Sequence, residues 1–394
     1  MPAQDATVFA SESSESAVHI FVSIEMSRAA WVIGVHTPLA DKIAIHKIVA
    51  GDADAVLALI DRLRSRIVTA QGYTPTVLCC HEAGYEGFWL QRRFGALGIK
   101  VIVIDPASLL VNRRAKRAKT DRIDARDMVR ALMAHARGEH QVLSTVRVPT
   151  VEQDDERRLL RERQRLVKER TAHTNRIKGL LKTQGIAEFD PRAADAKQRL
   201  DSLVTGDGRH LGRRLEEEIV RELQRLALVM GQLAQVEAER DRVIREAKSR
   251  LDEPTADCHR DGAMLVALNR LKGIGTNDAS ILVREAFWRD FRNRRELGGW
   301  SGLAPAPWAS GSVVRDQGIT KAGPPLLRAQ MIQITWRWLF WQPDSRLSQW
   351  FKERTAGATG RMRRIMVVAL ARKLFVALWR YATTGLVPEG AIVT

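Results

Sequence analysis

The chain has 394 residues, with 63 Lys and Arg against 46 Asp and Glu and a formal net charge of +17 at pH 7. That length exceeds one ordinary hydrophobic core and implies two or three domains. So large a positive excess points to a polyanionic partner, because each phosphate neutralised by a cation releases counterions. Nucleic acid fits. A membrane surface would need an exposed basic amphipathic helix or a span. The longest apolar stretch, 365–379, is broken by Arg372 and Lys373 and falls short of the about 20 apolar residues a bilayer takes, so no transmembrane segment is expected. Cys79, Cys80 and Cys258 show no metal-ligand spacing, and Cys79-Cys80 reads as buried strand. A reduced, cytoplasmic protein without disulfides is expected.

Residues 1–17 are rich in Ser and Glu and read as a disordered tail, not a signal peptide. Three short β-rich runs follow, at 18–25, 31–36 and 42–49, separated by turn signals, which predicts a meander. Residues 53–67 have helical apolar spacing (Val56, Leu59, Ile60, Leu63). A strand over 76–82, a helix over 86–97 and a buried strand over 100–106 complete a β-β-β-α-β-α-β order. Two of these strands end in acids, Glu25 and Glu82, and sites in open α/β sheets collect at strand ends.

A basic run, Arg113-Arg114-Ala115-Lys116-Arg117, then leads into Lys119-Thr120-Asp121-Arg122-Ile123-Asp124. Asp121 and Asp124 stand three apart, so on a helix both carboxylates point the same way. An acid pair inside a basic segment suits a divalent metal held beside a phosphate backbone. The same spacing also fits a solvated helix surface on which Arg and Lys neutralise the acids.

From residue 146 the composition becomes helical and charged. The spacing predicts a long helix over 151–184 and another over 211–250, the latter with Leu215, Ile219, Leu223, Leu226, Met230, Leu233, Val236 and Val243 at coiled-coil intervals. The pair is expected as an antiparallel hairpin or as a dimerisation arm. The expected organisation is the tail over 1–17, an α/β domain over 18–145, a coiled-coil region over 146–255 and a mainly α domain over 256–394.

In the last domain Gly273 and Gly275 permit a tight turn, and a helix starting near Asn277 would offer unpaired amides to phosphate. This is a helix-hairpin-helix pattern, and Arg284, Arg289, Arg292, Arg294 and Arg295 follow it. The stretch 300–323 combines Gly302, Ser310, Gly311, Ser312, Arg315, Gly318 and Lys321. Small residues, hydroxyls and two cations suit close approach to a phosphodiester, and the same composition reads as flexible loop. A helix over 326–341 carries Trp336, Trp338 and Trp341, which could stack on bases or pack into a core. A final helix over 361–381 has a basic start.

Taken in order, the acid of the first strand, Cys80-His81-Glu82-Ala83-Gly84-Tyr85-Glu86, Lys119-Thr120-Asp121-Arg122-Ile123-Asp124-Ala125, Gly273-Ile274-Gly275, Gly302-Leu303-Ala304-Pro305, Ser310-Gly311-Ser312 and Ile319-Thr320-Lys321-Ala322-Gly323 resemble the DEDD-type insertion-sequence transposases related to the Piv invertase. The resemblance implies an α/β plus α chain: a RuvC-like domain of RNase H fold whose four acids bind Mg²⁺, a coiled coil, and a C-terminal transposase domain that supplies a serine. It further implies a covalent serine–DNA intermediate, a bridge RNA that selects donor and target DNA, and a dimer or tetramer assembled through the coiled coil. Carried over by position, the acids are Glu25, Glu82, Asp121 and Asp124 and the serine is Ser310, with Ser312 as rival. Arg113, Arg114, Lys116, Arg117, Lys119, Gly273, Gly275, Arg315 and Lys321 are the expected nucleic-acid contacts. The family has aspartate where this chain has Glu25, which moves that carboxylate by roughly one C–C bond. The rival expectations are a RuvC-like nuclease that uses water and a non-catalytic nucleic-acid-binding protein.

Overall fold

The computed structural model describes residues 19–109, 120–251, 260–310, 313–321 and 323–394. The expected tail lies outside them. The chain divides into two compact units, Met1–Val148 and Pro149–Thr394, so the long helices and the C-terminal segment share one unit.

In the first unit β1 (His19–Glu25), β2 (Ala30–Thr37) and β3 (Ala40–Val49) form the expected meander. Then come α1 (Ala53–Gln71), β4 (Thr76–Glu82), α2 (Trp89–Ala96), β5 (Lys100–Ile104) and α3 (Asp121–Ala136). The sheet order is β3-β2-β1-β4-β5, antiparallel through the meander and parallel from β1 to β4 to β5. The helix expected from residue 86 starts only at Trp89, because Gly87 takes a left-handed φ of 71°, which an α-helix does not tolerate.

Alternation along the strands gives the sheet two apolar faces. Ile20, Val22, Ile24, Val77 and Cys79 pack with Val56, Leu59 and Ile60 of α1 and with Phe94 of α2. Leu78, Cys80 and Ile104 pack with Met128 and Leu132 of α3 on the other face. Burial pushes the Cys79 thiol up to about 12, so this cysteine is packing, not chemistry. Helix α3 rests on the sheet through Gly34 of β2: a Cβ there would lie 2.7 Å from Ser23 Oγ and 2.9 Å from the Ala125 carbonyl.

In the second unit α4 (Val151–Lys182) and α6 (Arg213–Leu251) form an antiparallel hairpin, with α5 (Ala196–Asp201) in the connection. Thr150 and Gln153 cap α4 reciprocally. The pairs Arg163–Glu237, His173–Glu222 and Arg176–Glu218 run in opposite order along the two helices. The apolar stripe of α6 is spent inside the chain. Leu226 packs with Ile177 and Leu181 of α4, and Leu233 packs with Leu166. Of the two expectations for these helices, this is the hairpin; a charge at Leu226 or Leu233 would therefore damage the hairpin itself.

The rest of this unit comprises α7 (Arg260–Asn269), α8 (Thr276–Leu282), a π-turn over Val283–Phe287, α9 (Arg294–Trp300), β6 (Pro305–Ser310), β7 (Val313–Ile319), α10 (Pro325–Trp341), α11 (Arg346–Thr355) and α12 (Gly360–Thr384). Leu268, Phe287, Trp338, Leu374 and Phe375 centre its core, with Phe287 and Phe375 stacked at 5.4 Å. The stretch expected as flexible loop is instead the β6–β7 hairpin. Pro305 and Pro307 obscure the strand signal, yet a two-stranded ribbon has free edges on which proline is tolerated.

Two outcomes follow. Gly34→Ala overpacks the contact under α3 and should cost about 1–3 kcal/mol of stability in urea unfolding; an unchanged midpoint would mean that α3 shifts freely. Burial pushes the Glu222 carboxyl up, but bonds from His173, at 2.7 Å, and from Arg225 outweigh it and hold the group below its usual range. A depressed folded-state value contributes stability above the unfolded value of about 4.3 that is lost as pH falls. Glu222→Gln should therefore lower the melting temperature at pH 7, and the deficit should close below about pH 4.

Candidate DNA-processing site

Glu25 and Glu82 end adjacent parallel strands, one residue beyond the Ile24–His81 register pair, so both lie at one end of the sheet. Their face follows from the residues two positions earlier. Ser23 Oγ donates to the Ala125 carbonyl at 2.7 Å, and Cys80 Sγ lies 3.9 Å from the Met128 carbonyl, so both point at α3. By alternation Glu25 and Glu82 fall on that same face. Asp121 and Asp124 occupy the first turn of α3, whose N-terminus Thr120 caps by accepting from the Ile123 amide. Glu25 stands about 7 Å along its strand beyond Ser23. Asp121 stands about 6 Å along the helix before Ala125.

One tight contact thus sets four acids toward one end and one face of the sheet. Their donors are all oxygen, the chemistry a hard cation such as Mg²⁺ takes. Among the described residues, however, no three His, Cys, Asp or Glu side chains are drawn together as a metal-ligand group. The acids share a neighbourhood without closing a ligand set. Arg113, Arg114, Lys116, Arg117 and Lys119 lie outside the described residues.

In the second unit Ser310 is the last residue of β6 and pairs across the hairpin with Val313. Ser312 lies outside the described residues, as do the side chains of Ser310 and Arg315. The root of the hairpin is rigid. Thr320 N–H donates to the Ala304 carbonyl at 2.9 Å, and Lys321 N–H to Gly302 at 3.2 Å. Lys321 holds a φ of 56°, uncommon for a residue with a Cβ, and a Cβ on Gly323 would lie 2.0 Å from the Trp300 carbonyl oxygen. Two motifs separated by 13 residues, 302–305 and 319–323, are one structural knot.

Beside this root runs a groove of about 1270 Å³, walled by Leu303, Pro305, Gly318 and Ile319 and floored by α12. Seven cations and one acid, Glu389, line it. Arg361, Arg372, Lys373 and Arg380 come from α12 at helical intervals with Ile365, Val368 and Val376 between them, while Arg294, Arg295 and Arg346 come from other elements. Only the basic start of α12 and the pair that opens α9 were flagged by sequence. The signal missed is that residues 361, 365, 368, 372, 376 and 380 share one helix face. Arg372 reaches the groove because Gly298 is bare: a Cβ there would lie 3.0 Å from its Nε.

The turn between α7 and α8 differs from the expected phosphate cradle. The Gly275 N–H donates to Asp278 Oδ2 at 2.9 Å, so this amide is already committed. Gly273, at φ 90°, abuts the side chain of Trp341.

A family model described as Transposase matches residues 31–185, and one described as Transposase IS116/IS110/IS902 family matches residues 266–349. The chain is 46% identical over 378 residues to "Putative transposase y4rJ" of Sinorhizobium fredii, covering 95% of this chain and 94% of that one. The chain belongs to this transposase family. It is 28% identical over 318 residues to the transposase for insertion sequence element IS1328 of Yersinia enterocolitica, covering 79% and 86% of the two chains. To the transposase for insertion sequence element IS1111A of Coxiella burnetii it is 29% identical over 245 residues, covering 61% and 60%. It is an insertion-sequence transposase, a DNA-cleaving and strand-transferring enzyme of the IS110 family, and a DEDD domain implies a divalent metal. The first match spans Glu82, Asp121 and Asp124 and begins after Glu25; the second spans Ser310, Arg315 and Lys321. Among the described residues no helix is long and apolar enough to cross a membrane.

If the groove of this transposase follows a phosphate backbone, replacing Arg361 and Arg380 by Gln should weaken DNA binding about equally for all sequences and flatten the salt dependence by about one unit of slope per lost contact. An unchanged slope in a salt titration would remove DNA from the groove.

Proposed function

We propose that the chain recombines DNA through a covalent serine–DNA intermediate, with Mg²⁺ at Glu25, Glu82, Asp121 and Asp124 and with a bridge RNA selecting donor and target. The reading rests chiefly on the position of Ser310, at the end of a hairpin strand whose rigid root borders a cation-lined groove. A strand lying in the groove would be led toward that hairpin. The sheet order β3-β2-β1-β4-β5, with acids ending adjacent parallel strands, supports a RuvC-like RNase H fold for the first unit.

In the reaction Ser310 Oγ forms a bond to phosphorus, the strand's P–O bond breaks, and the serine proton passes to a base while the leaving oxygen regains one. A bound divalent ion would supply charge stabilisation at the phosphate. Arg315 and Lys321 flank the serine in sequence and would oppose the developing negative charge. The Arg113, Arg114, Lys116, Arg117 and Lys119 run would hold backbone phosphates beside the acids. Gly273 and Gly275 would set the turn of a helix-hairpin-helix contact. A dimer or tetramer would use the outer face of the α4–α6 hairpin, where Leu228 remains exposed.

The match of residues 31–185 to a DEDD transposase model, which spans three of the acids, favours one alternative, a metal-dependent nuclease that uses water and leaves no adduct. Trapping decides between them. Ser310→Ala should eliminate a protein–DNA adduct while RNA and metal still bind, and Ser312→Ala should only slow its formation. Asp121→Asn should abolish the adduct and diminish metal-induced thermal stabilisation. An adduct that persists in Ser310→Ala and maps to Ser312 overturns the serine assignment, and cleavage by both serine variants without any adduct establishes the nuclease.

A further inference from the structure

Helix α10 buries one side in the core through Leu327, Met331, Ile334 and Trp338. Its opposite side carries Trp336 and Phe340 and its flank Trp341, which are 49%, 73% and 44% exposed. Trp336 and Phe340 are one helical turn apart, and the rings of Phe340 and Trp341 meet edge to face at 5.0 Å. Trp341 rests against Gly273 and Lys272, while Trp336 and Phe340 stand outward together, a costly exposure for a surface without a ligand.

Its surroundings indicate what covers it. Lys272 Nζ lies 5.4 Å from the Trp341 ring, and Arg337, which follows Trp336, is ion-paired inward to Asp278. The carboxylate beneath, Asp278, is fully buried and held by Arg337 and Gln330 at 2.5 Å each, so it adds no open negative charge. Exposed aromatic faces beside the Lys272 ammonium match unpaired nucleobases on a phosphodiester chain, each base stacking at about 1–3 kcal/mol and a phosphate meeting the cation. The groove beside the hairpin, by contrast, has an aliphatic floor with no ring to stack on. The aromatics were expected either to stack or to pack, and they divide: Trp338 packs, while Trp336 and Trp341 face outward.

We propose that Trp336, Phe340 and Trp341 form a stacking platform for single-stranded DNA. A DNA-transferring enzyme unpairs bases when it exchanges strands, and the platform would hold bases released from the duplex. This rests on the family's strand transfer, not on the serine intermediate. Ser310→Ala should accordingly bind single-stranded DNA as the wild type does, so failure of the serine reading leaves the platform standing.

The experiment measures fluorescence polarisation of the full chain with labelled oligothymidylate, oligouridylate and a mixed-sequence duplex. Trp336→Leu and Phe340→Leu keep the surface apolar while removing the π-face. Each should weaken oligothymidylate binding at least about fivefold and leave duplex affinity unchanged. Trp336→Phe should retain most of the affinity. Both positions are exposed, so folding is checked simply by an unchanged melting curve. Undiminished oligothymidylate affinity in both Leu variants, or an equal loss for the duplex, overturns the platform. Tighter wild-type binding of oligouridylate than of oligothymidylate overturns the assignment to DNA. A fall in particle mass in the Leu variants without any loss of binding shows a face between copies of the chain instead.

Discussion

The first unit depends on one close approach. Gly34 leaves room for Ser23 Oγ to donate to the Ala125 carbonyl at 2.7 Å, which seats α3 directly on β1 and β2. Because Asp121 and Asp124 belong to the turn at or just before Ala125, and Glu25 lies two residues past Ser23, the same contact sets how near the acids come to one another. Carboxylates at such quarters repel, and burial would sharpen the repulsion. Here two sit in the first helical turn, where the amide dipoles favour negative charge, and two at the ends of central strands. Asp121 is exposed and Glu25, Glu82 and Asp124 are half-buried, which moderates the repulsion.

The second unit uses the opposite device. Its candidate nucleophile is at the end of a hairpin strand, and the order is invested in the root: Thr320 and Lys321 bonded back to Ala304 and Gly302, a left-handed Lys321, and a glycine against the Trp300 carbonyl. A strained residue persists only where its surroundings over-determine it, and here several contacts fix it at once. The cation-lined groove meets this root, so a phosphate backbone and the hairpin share a rigid reference.

Much of this was legible in the sequence because it rests on local periodicity. The strands from His19 to Glu82 announced themselves by β-branched runs, and the acid-terminated strands and Thr120-capped helix followed. The α6 stripe was legible as a seam, but period alone cannot say whether the partner helix belongs to the same chain; the burial of Leu226 and Leu233 against α4 answers that. The β6–β7 hairpin was missed because proline and glycine, which usually punctuate, here lie within an edge ribbon. Helix α11 was missed although Ser345 caps it and Leu347, Trp350 and Phe351 fall at helical spacing. At Gly275 the glycine pattern did not reveal that Asp278, three residues on, accepts from the glycine amide and closes the turn from within.

The cations of the groove show where sequence reading stops. Arg294, Arg346 and Arg372 are far apart in the chain and converge only through packing, and Arg372 arrives because Gly298 carries no side chain. On α12 itself the basic positions fall in the same stripe as Ile365, Val368 and Val376, so a search for a purely apolar face assigns the helix to the core and a search for a purely basic face finds only its first turn. The helix in fact has two faces with different duties. Leu370, Leu374, Phe375 and Leu378 fill the core, and the mixed stripe opens to the groove. Long cationic side chains lay their methylenes over apolar neighbours and lift the charge to the rim. A stripe of that composition is therefore stable without a partner and charged toward a phosphate when one arrives, which is why the groove can remain open in the folded chain.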